Sequence, residues 1–85
     1  SKSMDLYPNP AGNQTELSLT LVRSSDVRVD VVSMDGKLLR SVTYKNQQSG
    51  NVHLNLDTRD LPAGTYLVKA SGSALNVTKK MMVVR

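Results

Sequence analysis

Apolar residues in this chain return at every second position. Nowhere do they return at the three- and four-residue spacing that would carry a helix through two turns. Over residues 15–23, Leu17, Leu19 and Leu21 alternate with Glu16, Ser18 and Thr20. Over 26–34, Val27, Val29 and Val31 alternate with Arg28 and Asp30, and over 51–57 Val52, Leu54 and Leu56 alternate with His53 and Asn55. A period of two is the period of a pleated strand with one face buried. The return run, 37–45, places Leu38, Val42 and Tyr44 on one face, and Leu39 interrupts it. The interruption predicts either two partly covered faces or a bulge.

Turn chemistry punctuates these runs. Asp35-Gly36 between two β-rich segments predicts a hairpin, read here as a type I′ turn with positive φ at both central residues. Residues 46–50 read as a polar turn. Leu61-Pro62-Ala63-Gly64 reads as a type II turn, with Pro62 presetting φ and Gly64 supplying a positive one. Ser71-Gly72-Ser73 turns the chain into a last strand over 76–85. With a short strand over 4–7 and a sixth over 65–71, the expectation is all-β. About seven antiparallel strands spaced roughly 8–12 residues apart indicate an immunoglobulin-like β-sandwich without the Cys…Trp…Cys hallmark. Its expected core includes Leu17, Leu19, Leu21, Val29, Val31, Val42, Leu54, Leu56, Tyr66 and Val68.

Eighty-five residues allow one domain, read as 1–85 with 1–5 as a linker leading into the fold. Phe and Trp are absent and the apolar fraction is 39 %, so the core falls to Val, Leu, Met and the three tyrosines. The absence of cysteine rules out a disulfide framework and thiolate metal sites. No run approaches the roughly 18 apolar residues of a membrane helix, and the first residues lack the pattern of a signal peptide. The net charge of +4 is carried by lysines and arginines scattered among aspartates. Nucleic-acid modules concentrate charge and interleave aromatic rings, so no nucleic-acid partner is expected.

Catalytic chemistry is sparse. His53 alternates outward between Val52 and Leu54. Asp57 and Asp60 flank a turn and read as turn caps, not as an acid/base pair. Asp30 and Asp35 lack the ligand density of a calcium loop, and no serine sits on a nucleophile elbow. The reading is a chain that is not an enzyme, with no cofactor and no metal.

Two segments remain. Tyr7-Pro8-Asn9-Pro10 fixes φ twice and restricts the residue before each proline, so the chain enters the fold as a stiff bend. Lys79-Lys80-Met81-Met82-Val83-Val84-Arg85 ends the sequence while still in strand-forming composition, where domain ends usually fray. It reads as a paired strand, as a peptide shown to a receptor, or as both. On the receptor reading, residues 81–85 contribute little to folding.

Taken in order, Leu6-Tyr7-Pro8-Asn9-Pro10-Ala11, Asp35-Gly36-Lys37 after a Val-rich strand, Leu61-Pro62-Ala63-Gly64-Thr65-Tyr66-Leu67-Val68 and the terminal Lys79–Arg85 run resemble one family. It is the C-terminal sorting domain of the type IX (Por) secretion system, type A. The resemblance implies a domain that directs an upstream, covalently fused cargo from the periplasm of a Gram-negative bacterium through the outer-membrane translocon. A shuttle protein and a surface sortase with cysteine-protease chemistry handle it. The cargo is left at the cell surface or released. It implies sorting-signal recognition at Lys79, Lys80, Met81, Met82, Val83, Val84 and Arg85. Tyr7, Pro8, Asn9, Pro10, Asp35, Gly36, Pro62, Gly64 and Tyr66 would then be structural motif positions. The departures are Met81-Met82, less β-branched than is usual there, and Arg85 where lysine is common.

The alternative is a fibronectin-like or carbohydrate-binding accessory sandwich of a secreted enzyme, for which only Tyr7, Tyr44 and Tyr66 supply rings. Open edge strands leave room for a homodimer.

Overall fold

The computed structural model describes residues 4–85 and contains seven strands and no helix among them. They are β1 (Asp5–Tyr7), β2 (Gln14–Leu21), β3 (Ser25–Ser33), β4 (Leu38–Gln47), β5 (Gly50–Asp57), β6 (Gly64–Gly72) and β7 (Leu75–Val83). A three-stranded antiparallel sheet, β1-β2-β5, packs on a four-stranded one, β4-β3-β6-β7. This is the expected all-β sandwich, and its strand order is compatible with an immunoglobulin-like fold.

Alternation decides the core. Leu17, Leu19 and Leu21 from β2, Leu54 and Leu56 from β5, Val29 and Val31 from β3, and Tyr66 and Val68 from β6 are all buried. Each lies on the face that the pleat turns toward the opposite sheet. Val42 is the exception and is only half-buried. β4 is the outer strand of the wider sheet, and the narrower sheet covers it incompletely. The core also takes Met4, Leu6, Ala11, Val27, Val52, Leu61, Ala70, Val77, Met81 and Val83.

Met4 is 2 % exposed and Asp5 begins β1, so the fold starts inside the stretch read as a linker over 1–5. Residues 1–3 of that stretch lie outside the described residues.

Several turns differ from their sequence reading. At Asp35-Gly36 only Gly36 has positive φ, at 92°. Gly36 donates to the Ser33 carbonyl, and Ser33 donates to the Lys37 carbonyl, both at 2.9 Å. The loop is therefore the three-residue type, a turn over Met34 and Asp35 with Gly36 as the left-handed bulge residue. Gly64 has φ 159°, which borders extended backbone. It is the first residue of β6, paired with Val83, and the type II reading does not hold. β4 and β5 extend into the polar segment, leaving Gln48 and Ser49 to carry the chain from one sheet to the other. β6 and β7 likewise extend to a two-residue connection, Ser73-Ala74.

The interruption at Leu39 is a bulge. Val31 pairs with Arg40 and Val32 with Leu38, so one step along β3 spans two along β4. A second irregularity separates the Ser25–Gln47 and Val27–Tyr44 pairs. There Asn46, at φ 55°, donates its backbone N–H to the Asp26 carboxylate at 2.8 Å.

Candidate functional site

The three proline- or lysine-marked segments, far apart in sequence, meet at one end of the sandwich. β7 pairs with β6 over its whole length, from Gly72–Leu75 to Gly64–Val83. Its opposite edge would stand open, as the outer strand of its sheet, but the bend after β1 lies along it. Ala11 donates to the Met82 carbonyl at 2.7 Å and accepts from the Val84 amide at 2.9 Å, forming a parallel bridge to Val83. The Asn9 side chain extends this pairing, its amide donating to the Lys80 carbonyl at 3.2 Å while its oxygen accepts from Met82 N–H at 3.0 Å. Backbone polar groups of residues 80–84 are thus engaged on that edge, and Asn9 does with its side chain what a neighbouring strand does with its backbone.

Pro8 and Pro10 both follow cis peptide bonds. The Pro8 carbonyl accepts from the hydroxyl of the buried Thr15 at 2.9 Å, which anchors the bend to β2.

Arg85 closes the junction. Its guanidinium donates to the carbonyls of Gly12 (2.9 Å), Arg59 (3.2 Å), Leu61 and Thr58. Thr58 is fully buried, and its hydroxyl donates to the Gly12 carbonyl at 2.7 Å while its amide donates to the Asn13 carbonyl at 2.8 Å. A planar five-donor fork suits such a cluster of carbonyls better than an ammonium would. Thr58 and Gly12 carry no sequence signal for this junction. A threonine between Asp57 and Arg59 gives no local sign that it will be buried.

Tyr66 explains the adjoining block. Its hydroxyl donates to the carbonyl of Pro62, four residues upstream, at the corner where the chain passes from β5 into β6. This is the arrangement of the tyrosine corner of immunoglobulin-like sandwiches. Leu61, 6 % exposed, packs beneath it, so the Leu-Pro-Ala-Gly-x-Tyr spacing encodes a buried leucine, a turn and the tyrosine that pins the turn.

Alternation along β7 then divides the terminal residues. Met81 and Val83 are buried at 0 % and 2 %, whereas Met82 and Val84 are about half exposed at 48 % and 49 %. Lys79 lies 3.9 Å from the Asp5 carboxylate across the β1 side, and Lys80 is exposed on the outer face of the larger sheet. The expectation that residues 81–85 contribute little to folding therefore does not hold. Two of them are core side chains and Arg85 ties down four carbonyls. The Asp35-Gly36 hairpin lies at the same end of the larger sheet, since Ser33 at its base pairs with Tyr66, but it makes no hydrogen bond to Arg85.

The other sequence candidates resolve as surface features. His53 Nδ1 lies 3.0 Å from Glu16 across the β2–β5 pair, with both side chains half-exposed or more. Asp57 caps its turn by accepting from the Arg59 amide at 2.9 Å and from the Arg59 guanidinium at 2.9 and 3.2 Å. Those side-chain hydrogen bonds, with the backbone one, hold its carboxyl down to about 2. Among the described residues no three His, Cys, Asp or Glu side chains form a metal-binding group. Of the tyrosines, Tyr66 is buried, and Tyr44 donates to the Asn55 carbonyl at 2.6 Å, its phenol pushed up by burial. Only Tyr7 is open, at 80 %, which leaves no pair of exposed rings for stacking on a sugar.

No curated protein matches the chain. Residues 5–84 match one protein family, the span running from the first residue of β1 to the residue before Arg85. On that match over nearly the whole chain, the protein belongs to the secretion system C-terminal sorting domain family, the type IX sorting signals.

Proposed function

We propose that this chain is a removable address label. It directs an upstream, covalently fused cargo through the type IX translocon of a Gram-negative outer membrane and is afterwards cut away by a surface sortase. On this reading the cargo crosses the periplasm with the folded domain attached, is met there by the shuttle protein, and ends at the cell surface or in the medium. The observation that carries the proposal is the family match over residues 5–84.

The geometry supports a particular way of being read. An exposed strand edge invites recognition by backbone pairing, but Asn9 and Ala11 already occupy the edge of residues 80–84. Side chains turned outward from β7 remain for a receptor, and these are Lys80, Met82 and Val84. In this proposal Lys79, Met81, Val83 and Arg85 serve recognition by holding that strand in place.

The test is a reporter carrying an ordinary signal peptide with this chain fused behind it, expressed in a bacterium that has a type IX system. The reporter is expected at the cell surface, and to remain in the periplasm when the chain is omitted or the translocon is deleted. Equal surface arrival with and without the chain would overturn the reading.

A further inference from the structure

The outer face of the four-stranded sheet is divided along its length. Cross-strand partners share a face, so the pairing register reads that face row by row. One row joins Ser41, Asp30, Lys69 and Thr78, and the row beyond it joins Thr43, Arg28, Ser71 and Asn76. Both are polar, and the Arg28 guanidinium lies 3.0 Å from the Asp30 carboxylate between them. The next row toward the hairpin end is different in kind. It joins Leu38, Val32, Leu67 and Lys80, and beyond it Thr65 pairs with Met82.

The contrast is visible in exposure. Of the seven exposed large apolar side chains among the described residues, five (Met34, Leu38, Leu39, Met82 and Val84) belong to this end of the sheet or to the hairpin and tail that extend it. Val32 is 7 % exposed although it faces outward, because Leu38 and Leu67 flank it. A lone exposed leucine needs no explanation, but a contiguous apolar area on an otherwise polar face marks an interaction surface.

We infer that this composite face, Leu38–Val32–Leu67 continued by Lys80, Met82 and Val84, is the docking surface for a protein of the export machinery whose contact area has an apolar centre and carboxylates at its rim. The inference rests on the sorting reading above and adds a surface and a partner chemistry to it. Charge selects the occupant. Lys80 ends the apolar row and Lys37 adjoins Leu38, and among the described residues no ion pair holds either one. The nearby carboxylates are engaged, Asp30 by Arg28 and Asp35 by the Ser33 hydroxyl. A second copy would bring this face against itself and set unpaired lysines against unpaired lysines, which is unfavourable in an isologous contact. An acid-rimmed partner pairs with them instead.

The reporter fusion tests it with Leu38→Glu, Met82→Glu and Lys80→Glu on the apolar row and its continuation, and Thr43→Glu and Thr78→Glu on the polar rows of the same face. Thermal melting of each purified variant accompanies the surface assay, and Leu38→Gln replaces Leu38→Glu if that protein fails to fold. The apolar-end variants are expected to fold and to lower surface arrival by about tenfold or more, as loss of one central contact does. Lys80→Arg should keep export, and both polar-row variants should match the parent. Folded apolar-end variants that export normally, while deletion of the whole chain abolishes export, would overturn this surface and leave the sorting reading intact. An intact fusion that is not exported at all would remove the sorting reading itself. Sedimentation showing a parent dimer that Leu38→Glu converts to monomer would overturn the partner in favour of a second copy.

Discussion

Arg85 donates from its guanidinium to the main-chain carbonyl of Gly12, 73 positions earlier in the chain, at 2.9 Å. The same fork reaches the carbonyls of Thr58, Arg59 and Leu61, so the loop before β2, the β5–β6 corner and the tail share one donor. Arg85→Ala leaves those carbonyls without it, and a loss of about 1–3 kcal/mol in unfolding free energy is expected. Arg85→Lys should restore only part of this, because an ammonium cannot span the same cluster. The midpoint of urea unfolding reads both, and equal midpoints for Arg85→Ala and the parent would refute the structural role.

Asn9 offers a second test of the junction. Its side chain both donates to Lys80 O and accepts from Met82 N–H, so a substitution that keeps its size but removes the donor is informative. Asn9→Asp sets a carboxylate against the Lys80 carbonyl and should destabilise by about 1–3 kcal/mol. Asn9→Ala, which removes the acceptor as well, should speed hydrogen exchange at the amide of Met82. Exchange unchanged from the parent would mean that the Asn9 contact does not protect this edge.

Tyr66→Phe isolates the corner hydrogen bond while leaving the ring in the core. The hydroxyl reaches the Pro62 carbonyl, and its removal should cost about 1 kcal/mol. Denaturant unfolding with an unchanged slope but a lower midpoint is the expected signature. An unaltered midpoint would reduce the tyrosine to its ring.

These contacts mark where sequence stops being informative. The pleat's period of two is local, so inward and outward faces could be read for Leu17, Val29, Leu54 and Val68 without knowing which strand lies opposite. Leu39 broke the period, and the structure places a bulge there. Asp35-Gly36 announced a tight hairpin, but glycine at positive φ suits both a two-residue turn and a bulged three-residue one, and the strand register chooses between them. Val42 had the right alternation on a strand whose inner face the narrower sheet covers only in part. The carbonyl cluster around Arg85 depends on which loops the topology brings together. No property of Gly12, Thr58 or Leu61 in their own segments announces it. The same holds for the apolar row on the outer face, whose members come from three strands.

The β6–β7 hairpin carries a paired prediction of opposite sign. A Cβ at Gly72 would lie 2.7 Å from the Asp26 carbonyl oxygen and 3.0 Å from Ser25 Oγ. Backbone on the neighbouring strand cannot retreat cheaply, so Gly72→Ala should destabilise by about 1–3 kcal/mol. Two residues on, Ala74 is exposed and has φ 58°, a left-handed conformation that is costly for any residue with a Cβ. Ala74→Gly should stabilise by about 0.5–1 kcal/mol, the relief of strain less the added freedom of the unfolded chain. Thermal melting of the two variants side by side decides the matter, and a shift of the same sign in both would contradict it.

Acid should act on the β5–β6 corner through Asp57. Its carboxyl is held at about 2, against an ordinary 3.8, chiefly by the Arg59 side-chain hydrogen bonds and then by the Arg59 amide. A folded-state value below the unfolded one means that the folded form binds the proton less readily. The stabilisation is therefore complete above the ordinary value and is lost as pH falls through about 2. Asp57→Asn removes the charge throughout, so it should lower stability at neutral pH and flatten that part of the acid limb, the two curves converging near pH 2. Both side chains are well exposed, at 69 % for Arg59 and 52 % for Asp57, so the effect is modest and should shrink in salt. Urea midpoints of both proteins across that pH range, at low and high salt, measure it. Parallel acid limbs for the two proteins would show that Asp57 does not carry this dependence.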